Sequence, residues 1–150
     1  LGNRLDAAYA RALIGLEITQ LTSQLWTPDE TIIDLRKYAN STRNRNLFCM
    51  VLTRAAFDGV PIMPSHVAKE LGISRNTIDT MIKETEEAGW ITVERDQNQY
   101  RTLIAAPIMT LSYQMYANAL ADALQEIDLA GLNSARKHAK LLGLYTPNHL

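Results

Sequence analysis

The segment Ser74-Arg75-Asn76-Thr77 sets side chains that can read a base edge beside side chains that can hold a phosphate. A guanidinium spans the two major-groove acceptors of guanine, and a carboxamide pairs with adenine in the same two-point manner. Arg75 and Asn76 supply these groups. Ser74, Thr77 and the ammonium of Lys83 suit phosphate, which positions a protein without carrying sequence information. Asp79 and Thr80 share the same outward set. Each residue also has a plainer reading. Ser74 can simply cap a helix. Arg75 can pair with Asp79 one turn away, worth about 0.2–0.5 kcal/mol.

These residues need a scaffold, and the surrounding sequence supplies one. Val67, Ala68 and Leu71 form one apolar face of a first helix, Gly72 permits a tight turn, and Ile73 fills the space behind it. Ser74 caps a second helix whose inward face is Ile78, Met81, Ile82 and Thr85. Arg75, Asn76, Asp79, Thr80 and Lys83 are left facing outward. Helix, turn and helix in this order predict a helix-turn-helix, whose second helix enters the major groove. Trp90–Arg95 and Tyr100–Ala105 then read as two strands around the polar turn Asp96–Gln99, a wing. Arg95 and Arg101 flank that wing, where guanidinium groups meet phosphate or a narrow minor groove. The alternative for both is a cross-strand pair with Glu94 or Asp96. Arg43 and Arg45 open the helix before the motif and are candidates to grip the DNA backbone.

The flanking sequence is helical. An amphipathic helix is predicted over Leu5–Leu25, with a stripe of Leu5, Tyr9, Leu13, Leu16, Leu21 and Leu25 broken only by Gln20. Thr27 caps a short helix that starts at Pro28 and runs to about Ala39. Asn40-Ser41-Thr42 interrupts, and a further helix runs from about Thr42 to Phe57, ended by Gly59. Val60–Pro64 is an extended connector. Pro107 opens a long helix with the stripe Ile108, Leu111, Met115, Ala119, Ala123 and Ile127, ended or kinked at Gly131, and a last short helix covers Arg136–Leu144. The fold class is thus mainly α, a winged helix-turn-helix with a two-stranded β-wing between long N- and C-terminal helices. The expected division is 1–41 (N-terminal helices), 42–106 (DNA-binding module) and 107–150 (C-terminal helices).

Composition narrows the function. The chain has 150 residues, 47% hydrophobic and 21% charged, so it can build a core. Its net charge of −1 excludes binding of nucleic acid by bulk charge. The charge is uneven, however. Arg36, Lys37, Arg43, Arg45 and Arg54 form a stretch without an acid, as do Arg136, Lys137 and Lys140 near the C-terminus, and such blocks suggest surfaces for anionic partners. One cysteine and three histidines exclude a disulfide framework and give little for a metal. Cys49, among Leu47, Phe48, Met50 and Val51, reads as a small buried hydrophobe. No nucleophile with its base, phosphate loop or paired carboxylate is recognisable, so neither an enzyme nor a cofactor is expected. With no membrane-length apolar run and no secretory signal, the default compartment is cytoplasmic.

Residues from about Asn46 to Pro107 resemble the winged helix-turn-helix of the MarR family of bacterial transcription regulators. The resemblance is carried by Val67-Ala68-Lys69-Glu70-Leu71-Gly72-Ile73-Ser74-Arg75-Asn76-Thr77-Ile78, by Glu86-Glu87-Ala88-Gly89-Trp90-Ile91 and by the wing with Arg95, Asp96 and Arg101. Thr85 stands where the family usually has Leu. The resemblance implies double-stranded DNA as partner, a homodimer built by the terminal helices, and regulation of transcription. It also implies that a small aromatic or lipophilic effector would lodge at the helix junction, with Trp26, Tyr38, Tyr113 and Tyr116 as candidate lining. Two alternatives remain open. One is a winged-helix module that binds another protein, for instance through Glu84, Glu86 and Glu87. The other is a DNA-binding protein of replication or partition.

Overall fold

The computed structural model describes residues 2–22, 29–125, 137 and 140–143. Eight elements follow in order: α1 (Gly2–Leu21), α2 (Glu30–Ala39), α3 (Arg43–Asp58), α4 (Pro64–Leu71), α5 (Arg75–Glu87), β1 (Ile91–Arg95), β2 (Arg101–Ala105) and α6 (Pro107–Gln125). The chain forms two compact units, residues 25–115 and residues 1–24 with 116–150.

In the larger unit the helix boundaries follow local chemistry. Thr42 and Ser74 accept from the backbone N–H groups of Arg45 and Thr77 and start α3 and α5. Gly59 and Gly72 adopt the left-handed conformation at the ends of α3 and α4. α2 departs from expectation at its start. Its cap is Asp29, whose carboxylate accepts from Thr31 N at 2.9 Å, because Asp is itself a strong N-cap residue; Thr27 and Pro28 lie outside the described residues. The connector before α4 is shorter than expected, since Pro64 already occupies the first turn of that helix, where its missing N–H costs nothing. Ile62 makes a single bridge to the wing, its carbonyl accepting from Leu103 N at 2.8 Å.

β1 and β2 pair antiparallel, with Ile91 opposite Ala105 and Arg95 opposite Arg101. Each strand is one residue shorter than expected. Trp90 N donates to Thr85 O and so closes α5, while its carbonyl accepts from Ala106 N just past β2, and Tyr100 belongs to the turn. Asp96 organises that turn by accepting from Asn98 N and Tyr100 N, and Gln99 sits at φ 62°.

One core holds the larger unit together. Leu35 of α2, Phe48, Cys49, Val51 and Leu52 of α3, Val67 of α4, and Ile78, Met81 and Ile82 of α5 meet Trp90, Ile91, Leu103 and Met109. Thr85 is fully buried with them, its hydroxyl satisfied by the Met81 carbonyl at 2.7 Å. A Thr therefore fits where the resemblance expects Leu, because the helix backbone absorbs its one polar group. Among the described side chains of α6 the buried ones are Met109 and Ser112, while Leu111 of the expected stripe is exposed. Apolar spacing did not reveal that register. It follows from β2, which delivers Met109 over the core, and from Arg36, which donates to the Ser112 carbonyl at 2.5 Å. The side chain of Ala123, and Ile127, Gly131 and most of the expected last helix, lie outside the described residues.

In the smaller unit α1 ends at Leu21, with Thr22 in a turn. Leu16 is buried, whereas Ile14, Ile18 and Leu21 are exposed. Leu25 and the side chains of Leu5, Tyr9 and Gln20 lie outside the described residues. No helix among the described residues is long and apolar enough to cross a membrane.

Candidate nucleic-acid interface

Helix α5 buries Ile78, Met81, Ile82 and Thr85, which fixes what its other side presents. Arg75 and Asn76 are exposed in its opening turn, directly after the Ser74 cap. Thr80 and Lys83 are exposed further along, and Thr77 and Asp79 are half-buried. Several of these groups are locally engaged. Ser74 Oγ lies 2.8 Å from Thr77 Oγ1, Thr80 Oγ1 donates to the Asn76 carbonyl, and Lys83 Nζ stands 3.9 Å from Glu87. At that distance and exposure the last pair contributes little, and the Lys83 ammonium stays available to solvent or phosphate.

Beyond the shared core, the wing is tied to α5 by arginine contacts to one carboxylate. Arg101 Nη2 donates to Asp79 Oδ1 at 2.6 Å, and Arg75 Nε lies 3.5 Å from the same oxygen. The Arg75–Asp79 pair was the expected alternative, and it forms while Arg75 stays exposed. The alternative weighed for Arg101 does not hold. Its partner is neither Glu94 nor Asp96 but Asp79 on the facing helix, and Asp96 is used within its own turn. Arg95 is exposed and stands opposite Arg101 in the strand register. Two like charges in that relation repel, and Asp79 offsets the repulsion by neutralising one of them. Arg75, Arg101, Asn76 and Arg95 are thus brought to one helix and the wing it pairs with.

The basic stretch 36–54 is not one cationic surface. Arg36 is only 4% exposed and bonds to the Ser112 carbonyl. Arg54 is paired with Glu70. Arg45 donates to Glu84 through Nε and Nη2, at 3.2 and 2.8 Å, and its guanidinium lies 4.8 Å from the centre of the Tyr38 ring. Lys37 and Arg43 remain exposed. Arg43 stands at the first position of α3, the positive end of a helix dipole, where a cation is unfavourable without an anion nearby.

Sequence reasoning missed Glu84 as an organising residue. Its carboxylate also accepts from Tyr38 Oη at 2.5 Å, and Tyr38 packs on Trp90 at 5.2 Å between ring centres. The Arg45 hydrogen bonds, helped by Tyr38, hold the Glu84 pKa below its ordinary value. Burial first, and then Glu84, push the Tyr38 phenol far above its own. Glu84 is therefore not part of a free acidic patch with Glu86 and Glu87. Only its partners, 39 and 46 positions away, would have signalled this.

Tyr38 is thus committed to the base of the wing. Tyr116 donates to Glu17 at 2.7 Å within the smaller unit, and Trp26 lies outside the described residues. Within the larger unit, a cavity of about 280 Å³ is lined by Leu52, Ala56, Val60, Pro61 and Ile104 among others. Cys49 is buried, and desolvation pushes its thiol up to about 12, so it is inert as a nucleophile at neutral pH. His66 is exposed, and His138 lies outside the described residues.

No family model and no curated protein sequence matches the chain. Solved structures do. The transcriptional regulator Tm0710 from Thermotoga maritima is 15% identical, over 77% of this chain and 85% of that one, with a TM-score of 0.52. The YusO protein from Bacillus subtilis is 12% identical, over 93% of this chain and 98% of that one, also at 0.52. At such identities the likeness is one of fold. Among the described residues, six helices and one antiparallel hairpin in this order form a winged helix-turn-helix fold.

Proposed function

We propose that this chain is a DNA-binding transcription regulator that reads double-stranded DNA sequence-specifically as a homodimer in the cytoplasm. The observation that carries this reading is the opening turn of α5, where Arg75 and Asn76 stand exposed beside a wing arginine held to the same helix. Two-point donors at the start of a recognition helix suit base edges, and wing guanidiniums suit phosphate. Residues 42–106 carry the DNA contact in this reading: Arg75 and Asn76 at bases, Ser74, Thr77, Thr80, Lys83, Arg95 and Arg101 at phosphate or minor groove, Asp79 between them, and Arg43 at the backbone. Arg45 supports the helix rather than the DNA, because its guanidinium is occupied by Glu84.

A single winged helix reads few base pairs, and two half-sites supply the rest. Ile14, Ile18 and Leu21 on α1, and Leu111 on α6, are exposed apolar residues on the terminal helices, which supports pairing of two copies through segments 1–41 and 107–150. A small aromatic or lipophilic effector belongs to the same proposal. The rival reading, a protein-binding module using the acidic patch, keeps Glu86 and Glu87 exposed but loses Glu84, which Arg45 and Tyr38 occupy.

Selection from random duplex DNA, followed by salt titration on the selected site, tests the function. A defined motif with two related halves and a steep loss of affinity with salt is expected. Absence of binding to any duplex at low salt would refute it. Light scattering at micromolar concentration tests the dimer, and a monomer mass with and without DNA would refute that part.

A further inference from the structure

We propose that Asp79 sets selectivity. Its carboxylate withholds Arg75 and Arg101 from the phosphates of an arbitrary duplex and releases them to one that offers the carboxylate a base-edge amino group. The proposal rests on the DNA-reading function above and assigns a role to the one acid among its contact residues.

An anion on a face meant for a polyanion is a cost unless it has a task. Asp79 lies one turn beyond Arg75 on α5, and both arginines meet on the same oxygen, Oδ1, at 2.6 Å for Arg101 and 3.5 Å for Arg75. The Arg101 side chain is 24% exposed and that of Arg75 49% exposed. The wing arginine is thus the more tightly held of the two. A phosphate that captures Arg101 must take it from Asp79. The carboxylate is then left facing the duplex, where phosphates and most base-edge groups are acceptors. The only major-groove donors are the exocyclic amino groups of cytosine and adenine, and a carboxylate accepts well from the cytosine one. Exchange of Arg101 for a cytosine amino group leaves every charge satisfied. Exchange on a duplex that places guanine or thymine acceptors there leaves the carboxylate repelled. The ligand class is therefore a base pair that presents an amino group beneath the second turn of α5.

Asp79→Asn keeps the size and an acceptor oxygen but removes the charge. On a duplex of random sequence the variant is expected to bind roughly three- to tenfold tighter at low salt, with a salt slope steeper by about one. Its selected motif should lose the preference at one base pair. Combining it with Arg101→Gln separates the latch from simple net charge. If Asp79 acts by holding Arg101, most of the gain from Asp79→Asn vanishes when Arg101 is already absent. Thermal melting of each variant reports its folding. The proposal is overturned if the ratio of selected to random affinity is unchanged in a folded Asp79→Asn protein, or if both affinities fall alike. It is equally overturned if the gain persists in full in the double variant. In these cases the wild type still reads its motif and the proposed function stands. Failure of the wild type to bind any duplex would remove both.

Discussion

Helix α5 carries two carboxylates, each held by an arginine from another element, and the two pairs are built differently. At its N-terminal side Asp79 takes Arg101 and Arg75 on one oxygen, beside the exposed opening turn. Nearer its C-terminus Glu84 takes Arg45 on both oxygens and Tyr38 on one of them. The Glu84 cluster is backed by the Tyr38 and Trp90 rings and ties α2 and α3 to α5. Nothing comparable backs Asp79 among the described residues. A carboxylate with three donors and an aromatic wall fixes a helix in place. One that is shared between two outward arginines can exchange partners.

The contrast would break first at Glu84. Glu84→Ala should destabilise the fold by about 1–3 kcal/mol, since it leaves a phenol and a guanidinium without their acceptor, and chemical denaturation measures this. Asp79→Ala should cost less than about 1 kcal/mol by the same measurement, as expected for a solvent-screened pair. Equal losses at the two sites would dissolve the distinction.

Binding should show the reverse order. Arg75→Ala and Asn76→Ala are each expected to cost about 1–3 kcal/mol on the selected duplex and to relax preference at one base pair. Arg101→Ala should weaken binding to the selected duplex more than to a random one, on which Asp79 keeps the wild-type arginine engaged, and should lower the salt slope on the selected duplex by about one. Titration of each variant on selected and random duplexes checks this. Silence of both Arg75→Ala and Asn76→Ala would show that α5 is not the reading head.

The pH profile sharpens the comparison from both sides. Glu84 has a pKa lowered below 4.5 in the fold, so its contribution is present above that value and is lost as pH falls through the folded pKa. Tyr38 is raised above 10.0. The unfolded chain ionises there while the fold keeps its proton, so stability falls as pH rises past that value. Glu84→Gln should flatten the acid limb and Tyr38→Phe the alkaline limb of melting temperature against pH. Limbs unchanged in these variants would assign the pH dependence to other groups.

The smallest effect is expected at the wing tip. Gln99→Gly removes a side chain from φ 62° and should stabilise by up to about 1 kcal/mol. No change in denaturation midpoint would mean that the Asp96 bonds already hold the turn without strain.

What was legible in the sequence follows the range of the interactions. Thr42, Gly59, Gly72 and Ser74 act on backbone within a few positions, and each did what its residue type implies. The inward face of α5 was equally plain, because Ile78, Met81, Ile82 and Thr85 share one helical spacing. Two local choices misled. Asp29 competes with Thr27 as a cap. In α6 an apolar stripe does not say which of its sides meets the core. The ionic partners were out of reach in principle. Arg45 with Glu84 and Arg101 with Asp79 are joined by the fold across 39 and 22 positions. Arg36 looked like a surface cation because nothing near it in the sequence announces the Ser112 carbonyl.

The burial of Cys49 has a practical consequence. It is the sole thiol of the chain, it stands in the centre of the α3 wall, and at neutral pH it is almost wholly protonated. A thiol reagent added to the native protein must wait for the module to open, so the labelling rate becomes a clock for that opening. Bound DNA should slow the clock in proportion to how far it stabilises the closed module. A cysteine introduced on the surface would react at once, giving a spectroscopic tag on the wing without first removing the native thiol.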